Sequence, residues 1–184
     1  KVLWLYLWVS NRLSHKTAPV TARQLVCIQE YLIALKATDD VDTARRLLKH
    51  IVILGTYIKR RSNLVFVCDK AEDIDTTELR LSLFESAESL RLSDIRCAVQ
   101  IADTAKISPA SAVAIYDAFE AIIEATLPGL QEILFCAEHT AQGWGLRCSV
   151  QCTDAPAALP GLPQMQLERD EDGLLYFTMF PAEG

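Results

Sequence analysis

The chain has 184 residues, of which 51% are hydrophobic and 23% are charged, and its formal net charge at pH 7 is −6. This composition is typical of a folded protein and excludes a mainly disordered chain. The charge is unevenly divided. Residues 1–70 hold 12 lysines and arginines against 5 acids, whereas residues 71–184 hold 6 against 19. The asymmetry predicts a domain boundary near residue 70.

The first apolar run, from Val2 to Val9, is far shorter than the about 20 residues that a membrane-spanning helix needs. Because the run is apolar on every side of a helix, we expect it to be buried in a bundle core; the cytoplasmic end of a membrane helix is the alternative. The chain starts at Lys1 rather than at a methionine. We therefore expect an upstream membrane or sensor segment, with this part on the cytoplasmic side.

Two amphipathic helices are predicted before residue 70. The first covers residues 20–36, and the second runs from Val41 to the high sixties after a turn and an N-cap at 38–40. Each carries apolar residues at spacings of three and four. These seams are Leu25, Ile28, Leu32 and Leu35 in the first helix, and Ala44, Leu47, Ile51, Leu54 and Ile58 in the second. The short loop makes the helices antiparallel, and covering both seams requires a second hairpin, so we expect a homodimeric four-helix bundle.

The second part alternates helices and strands. A capped helix begins at Asp75, with its inner face at Leu79, Leu83, Ala87 and Leu90, and another begins at Ser108-Pro109 and ends before Pro128. Strands are predicted over 95–102, 131–138 and 145–152, the last two separated by a turn region at 143–145. An irregular loop follows over 153–165, and a hairpin pairs 165–169 with 174–180. The fold class is therefore α+β: an N-terminal antiparallel helical hairpin, then a two-layer α/β sandwich with helices on one face of a mixed sheet.

The segment Gly55-Thr-Tyr-Ile-Lys-Arg-Arg-Ser-Asn-Leu64 and the order of elements along the whole chain resemble bacterial sensor histidine kinases. The resemblance implies that 1–70 is a dimerisation and phosphoacceptor domain. It implies that 71–184 is an ATPase domain of the kind shared by gyrase, Hsp90 and MutL. The implied function is two-component signal transduction by ATP-dependent autophosphorylation, with ATP and Mg²⁺ as cofactors of an active form and a response-regulator receiver domain as a partner.

The resemblance also assigns roles to single residues. Glu120 matches the glutamate of the family's N-box, which acts as the base. Glu124 stands where the family has an Mg²⁺-binding asparagine. Asp154 matches the residue that reads the adenine amino group, but the glycines expected after it are absent. His15 lies about one turn from the phosphoacceptor position and is followed by Lys16 rather than an acid. An active form and a degenerate, pseudokinase form both stay open, and the missing glycines favour the degenerate one.

Ordinary structural roles compete with these assignments. Asp117, Glu120 and Glu124 form one acidic helix stripe, which is more often a solvated surface, and His15 fits an ordinary surface histidine. The basic residues of the second hairpin helix lack any nucleic-acid motif, so we expect no nucleic acid. We expect these residues either to solvate the helix or to pair with acids of the second part. The runner-up function is a non-catalytic dimeric interaction module that binds an acidic protein such as a receiver domain.

The cysteines predict no metal site. The six thiols include no C-x-x-C pair, and we interpret them as reduced thiols in a cytosolic protein. Cys136, His139, Cys148 and Cys152 superficially resemble zinc ligands. Two ligands four residues apart on one strand would lie roughly 13 Å apart, too far to share one ion.

Overall fold

The computed structural model describes residues 18–69, 71–101, 105–154, 156 and 164–180. The predicted hairpin is present as helices α1 (Ala18–Ala37) and α2 (Val41–Cys68). Asp40 caps α2, its carboxylate accepting a hydrogen bond of 2.8 Å from the Thr43 amide. Within these ranges no helix is both long and apolar enough to cross a bilayer. The run at 2–9 and His15 lie outside the described residues.

The remaining elements are two further helices and seven strands of the described chain. They are β1 (Ile74–Asp75), α3 (Thr76–Arg91), β2 (Arg96–Ile101), β3 (Lys106–Ile107), α4 (Pro109–Thr126), β4 (Leu130–Thr140), β5 (Gly143–Cys152), β6 (Gln166–Arg169) and β7 (Leu175–Met179). A 3₁₀ turn, Leu127–Gly129, joins α4 to β4. The main sheet has the order β2-β4-β5-β7-β6, with β2 parallel to β4 and every other pair antiparallel. The two-residue ladder of β1 with β3 was not predicted.

Both helices of the second part start where the sequence indicates. Asp75 caps α3 by accepting from the Thr77 amide at 2.9 Å, and Ser108 caps α4 by accepting from the Ser111 amide at 3.1 Å. In α4 the proline follows the cap directly, where its missing N–H costs nothing. The predicted inner face of α3 is fully buried at Leu79, Leu83, Ala87 and Leu90.

The sheet and helices α3 and α4 enclose one apolar core. Phe119 of α4 meets Phe135 of β4 edge to face, with ring centroids 4.7 Å apart. Inward-facing residues of the central strands are buried, whereas alternate residues such as Arg147 are exposed. The predicted fold class, with helices on one face of a mixed sheet, is confirmed. The thiols of Cys136 and Cys148 lie on opposite faces of this sheet, since Cys148 pairs with the inward Phe135.

The predicted turn at 143–145 was wrong. The chain turns at 141–142, and Gly143 to Gly145 already belong to β5. Gly143 follows the turn with a φ of 95°, in the left-handed region. Gly145 serves close packing, because a Cβ on it would overlap the Phe180 ring and the Met179 carbonyl oxygen. Trp144, between the glycines, is buried and donates from Nε1 to the Lys106 carbonyl at 2.8 Å.

The hairpin packs against the helices of the second part. Helix α2 contacts both α3 and α4, and Ile53, Tyr57 and Leu64 are buried in that contact region. Of the predicted seams, Leu47, Leu54 and Ile58 are buried, while the α1 positions are half-buried. The α1 seam therefore keeps apolar surface that the described chain does not cover.

Candidate functional site

Helix α4 turns its acidic stripe toward the hairpin, not toward solvent. Asp117, Glu120 and Glu124 follow one another at steps of three and four, which places them on one side of the helix. The side chains that meet them come from α1 and α2. The solvated-surface interpretation of this stripe was therefore wrong. The stripe is a joint between the two parts of the chain.

Asp117 forms the most buried ion pair of this joint. Arg61 of α2 donates from Nε to Oδ1 at 2.7 Å and from Nη2 to Oδ2 at 2.9 Å, a bidentate arrangement. The Arg61 side chain is only 7% exposed. The Tyr57 hydroxyl also donates to Oδ1, at 2.9 Å. Burial, followed by the negative charge of Asp117, raises the pKa of Tyr57 above its ordinary value, so the phenol stays a donor.

Glu124, the position matched to the family's Mg²⁺ ligand, is engaged by helix α1. Arg23 forms an ion pair with Oε2, and Gln24 donates from Nε2 to Oε1 at 2.7 Å. Both carboxylate oxygens thus already accept hydrogen bonds from the hairpin. The Glu124 side chain is 13% exposed, so little of it faces water.

Glu120 lies between these two clusters and is 2% exposed. Its Oε1 atom has no hydrogen-bond partner among the described residues. Burial raises the pKa of this carboxyl well above its usual range, and the nearby charges of Glu124 and Asp117 raise it further, while Arg23 acts in the opposite direction. The raised pKa favours the neutral carboxyl over the carboxylate that a general base requires.

Asp154, another predicted site residue, does not join this group. Asp154 is exposed just beyond β5, and its neighbour Thr153 donates from its amide to the Gly129 carbonyl at 3.0 Å. This places Asp154 beside the end of α4, where no described contact links it to Glu120 or Glu124. His15 lies outside the described residues. Within the described ranges, no group of three or more His, Cys, Asp or Glu side chains is arranged to hold a metal ion.

Among the described residues, Glu120 and Glu124 do not fit Mg-ATP bound in the manner that the resemblance implies. Mg²⁺ requires free oxygen ligands, but the Glu124 carboxylate is already bonded by Arg23 and Gln24. Glu120 is buried and favours its neutral form.

The charge asymmetry between the two parts of the chain is explained by pairing across the joint. Besides Arg61 and Arg23, Arg60 and Lys59 form ion pairs with Glu85 of α3. The Lys49 ammonium meets the Asp94 carboxylate after α3. The expectation that hairpin bases pair with acids of the second part is confirmed for Lys49, Lys59, Arg60 and Arg61, whereas Arg45 pairs with Asp42 of its own helix.

Sequence reasoning missed Arg23, Gln24, Tyr57 and Arg61 as partners of the acidic stripe. Their acidic partners lie between 56 and 101 residues away along the chain, so no local pattern connects them. One signal was available: Tyr57 and Arg61 stand four residues apart within the 55–64 segment, and so share a helix face.

No protein-family model matches the sequence, and no curated protein matches it. Among solved structures, one described as a bacterial phosphotransferase is 12% identical and superposes with a TM-score of 0.51, over 97% of this chain and 96% of that one. The chain has the fold of that protein. This similarity shows the fold alone, and it agrees with the α+β fold class predicted from the sequence.

Two further similar structures score below this one. The histidine kinase domain of the blue-light activated histidine kinase EL346 from Erythrobacter litoralis is 12% identical, with a TM-score of 0.46 over 89% of this chain and 93% of that chain. The histidine kinase AdeS from Acinetobacter baumannii is 9% identical, with a TM-score of 0.40 over 85% and 94%.

Proposed function

We propose that this chain is the core of a two-component signalling protein whose α/β domain works without ATP of its own. The observation that carries the proposal is the engagement of the acidic stripe by the hairpin: Arg23 and Gln24 hold Glu124, and Arg61 holds Asp117. A bound metal and phosphates would have to displace these contacts. The degenerate form of the kinase core is therefore the better supported form, and its location on the cytoplasmic side is part of the proposal.

Binding of Mg-ATP tests this proposal. We expect no thermal shift and no label from γ-labelled ATP in the wild-type chain. A double variant, Arg23→Ala with Gln24→Ala, frees Glu124 and separates blockage by the hairpin from loss of the glycine motif. Binding that appears only in the double variant would locate the block at the hairpin. Label that is incorporated by the wild type and lost in His15→Gln would establish the active form instead, with Glu120 as its base.

We propose further that the hairpin forms a homodimer. Exposed apolar side chains stand seven residues apart on each helix, Val26 and Ile33 on α1, and Val41 and Leu48 on α2. Such a stripe is typical of helices that pack against a second hairpin. The dimer would bury apolar surface that one copy leaves in water.

Light scattering distinguishes this dimer from a monomer. We expect the wild type to be dimeric at micromolar concentration and Leu48→Glu to be monomeric. Leu81→Glu is the matched control, because Leu81 is similarly exposed but lies on α3. A monomeric wild type, or equal effects of the two variants, would contradict the proposal.

A response-regulator receiver domain is the partner we propose. In this proposal, phosphate reaches or leaves His15 through the receiver's aspartate, and not from ATP. Receiver domains carrying labelled aspartyl phosphate are the direct test, and we expect label to move to the chain and to be lost in His15→Gln. A receiver that binds without any transfer would favour the runner-up, a non-catalytic interaction module. That module would need a surface other than the basic residues already paired within the chain.

A further inference from the structure

A cavity of about 230 Å³ lies where the hairpin meets the second part, away from the acidic stripe. Helix α2 forms one wall, and the turn after α3 and the 3₁₀ turn before β4 form the others. The α2 wall is cationic, with Arg45, Arg46 and Lys49 beside His50. The facing wall is largely apolar and includes Ile95 and Pro128. A cavity of this size admits a small molecule but not a drug-sized one.

The three cations of the wall are not equally engaged. Lys49 donates to the Ser93 carbonyl at 3.3 Å and meets the Asp94 carboxylate. Arg45 reaches Asp42 at 3.4 Å on the surface. Arg46 forms no ion pair or hydrogen bond within the described part of the chain, and its charge contributes to lowering the pKa of Asp40, after the hydrogen bonds from Thr43. Its guanidinium is therefore the group that can offer a paired set of donors to an incoming oxyanion.

We propose that this cavity binds a small organic anion, a phosphate or carboxylate with a short apolar group. The Arg46 guanidinium holds the oxyanion beside His50, and the apolar wall at Ile95 and Pro128 covers the rest of the ligand. The proposal is independent of the proposed function, because it uses neither His15 nor the acidic stripe.

The pKa of His50 is a measurable probe of ligand binding in the cavity. The His50 side chain is half-buried, with its ring 5.4 Å from that of Tyr31 on α1. Burial, and then the charge of Arg46, hold its pKa below the usual histidine value. The other charged groups around the cavity are Asp42, Arg45 and Lys49 on α2, and Asp94 after α3; the 127–130 wall carries none.

An anion beside His50 offsets the charge of Arg46 and favours the imidazolium, so it raises the histidine pKa. By linkage, the anion binds more tightly below that pKa than above it. A ligand that bound elsewhere would leave the titration of His50 unchanged. The direction of this change is therefore specific to the cavity.

The experiment is a proton NMR titration of the full chain with phenyl phosphate and, separately, with benzoate, at constant ionic strength set by chloride. We expect a saturable shift of the His50 ring signal and an upward move of its titration midpoint. The exposed His139 on β4 is the internal control and stays unchanged.

Arg46→Gln is expected to weaken binding about tenfold, the effect of losing one charge-assisted contact. Because Arg46 is exposed, the variant should fold, which circular dichroism checks. Arg169→Gln on β6 removes the same charge elsewhere and should bind like the wild type. A shift that never saturates, moves His139 equally or survives Arg46→Gln would overturn the proposal. Saturation by both ligands would establish the shared oxyanion chemistry, and saturation by one alone would identify its class.

Discussion

Arg61 has the largest expected effect among the side chains of the joint. Arg61→Ala leaves the partly buried Asp117 carboxylate without its bidentate partner. Removal of one member of a buried pair costs about 3 kcal/mol. Urea denaturation measures the loss.

Lys59→Ala is the matched control for Arg61→Ala. Lys59 lies on the same helix as Arg61, but its ion pair with Glu85 of α3 is exposed. Exposed substitutions of this kind change stability by about 0.5 kcal/mol or less. Equal losses in the two variants would mean that Arg61 is not held as described. Adding Asp117→Asn to Arg61→Ala should recover part of the loss, since the uncompensated charge disappears.

Glu120 predicts a pH dependence of stability. Its folded pKa is raised above the unfolded value, so its contribution is fully present below the unfolded pKa and is lost as pH rises through the folded pKa. Glu120→Gln removes the ionisable carboxyl and with it the fall in stability at high pH. We therefore expect the variant to gain stability over the wild type at pH 8 and to gain less at pH 5. Urea midpoints at the two pH values measure it, and an equal difference at both would contradict an ionising Glu120.

Among the individual residues of the site, the sequence predicted only the acidic stripe of α4 and not the hairpin residues that contact it. The spacing of Asp117, Glu120 and Glu124 gave the stripe, because helix geometry alone determines which residues share a face. The hairpin residues that cover the stripe depend on how two distant segments dock. Docking is decided by tertiary packing, which the local spacing of residues does not encode.

Among the elements, β5 contains a glycine whose role is steric. Gly145→Ala forces its Cβ into the Phe180 ring and a backbone carbonyl, and overpacking of this kind costs about 1–3 kcal/mol. Gly55→Ala is the matched control, since nothing lies within 4 Å of its added Cβ and α2 is a helix. There, alanine should add about 0.5–1 kcal/mol.

Denaturation of both glycine variants at low protein concentration makes this comparison. A loss at Gly145 with a gain at Gly55 is the expected pattern. No loss at Gly145 would contradict the close approach of Phe180. A loss at Gly55 would mean that a group outside the described chain packs against α2.

Most elements could be predicted because their signals are local. Asp40, Asp75 and Ser108 each cap a helix where the sequence placed one. The error at 143–145 arose because glycine marks both turns and close contacts, and only the partner, here Phe180, separates the two. The β1–β3 ladder was missed since two-residue strands carry no periodicity.

For the whole molecule, the joint predicts that the hairpin and the α/β part unfold together. Arg61, Arg23 and Lys49 each tie the hairpin to the second part, and α2 shares the main core through Ile53 and Tyr57. Far-ultraviolet circular dichroism follows the helices, and hydrogen exchange of β4 and β5 amides follows the sheet. We expect coincident transitions, whereas earlier loss of helix signal would mean that the hairpin is independently stable.

The overall architecture followed from element order and from charge. The basic part and the acidic part carry opposite net charge, and this was readable from the counts. The boundary near residue 70 stays a prediction. The numbers of charged residues could not predict that the hairpin would bond to Glu124, because that depends on which acidic residues each basic residue contacts.

Because the Glu120 carboxyl is buried between the two ion pairs, separation of the hairpin from α4 is coupled to the release of a proton. With the hairpin docked, burial raises the pKa of the Glu120 carboxyl well above its usual range; with the helices separated, water would reach the carboxyl and its pKa would fall. Separation of the hairpin from α4 therefore releases a proton to the buffer. High pH accordingly favours the separated arrangement. The heat of opening should accordingly vary with the ionisation enthalpy of the buffer, and Glu120→Gln should remove that variation.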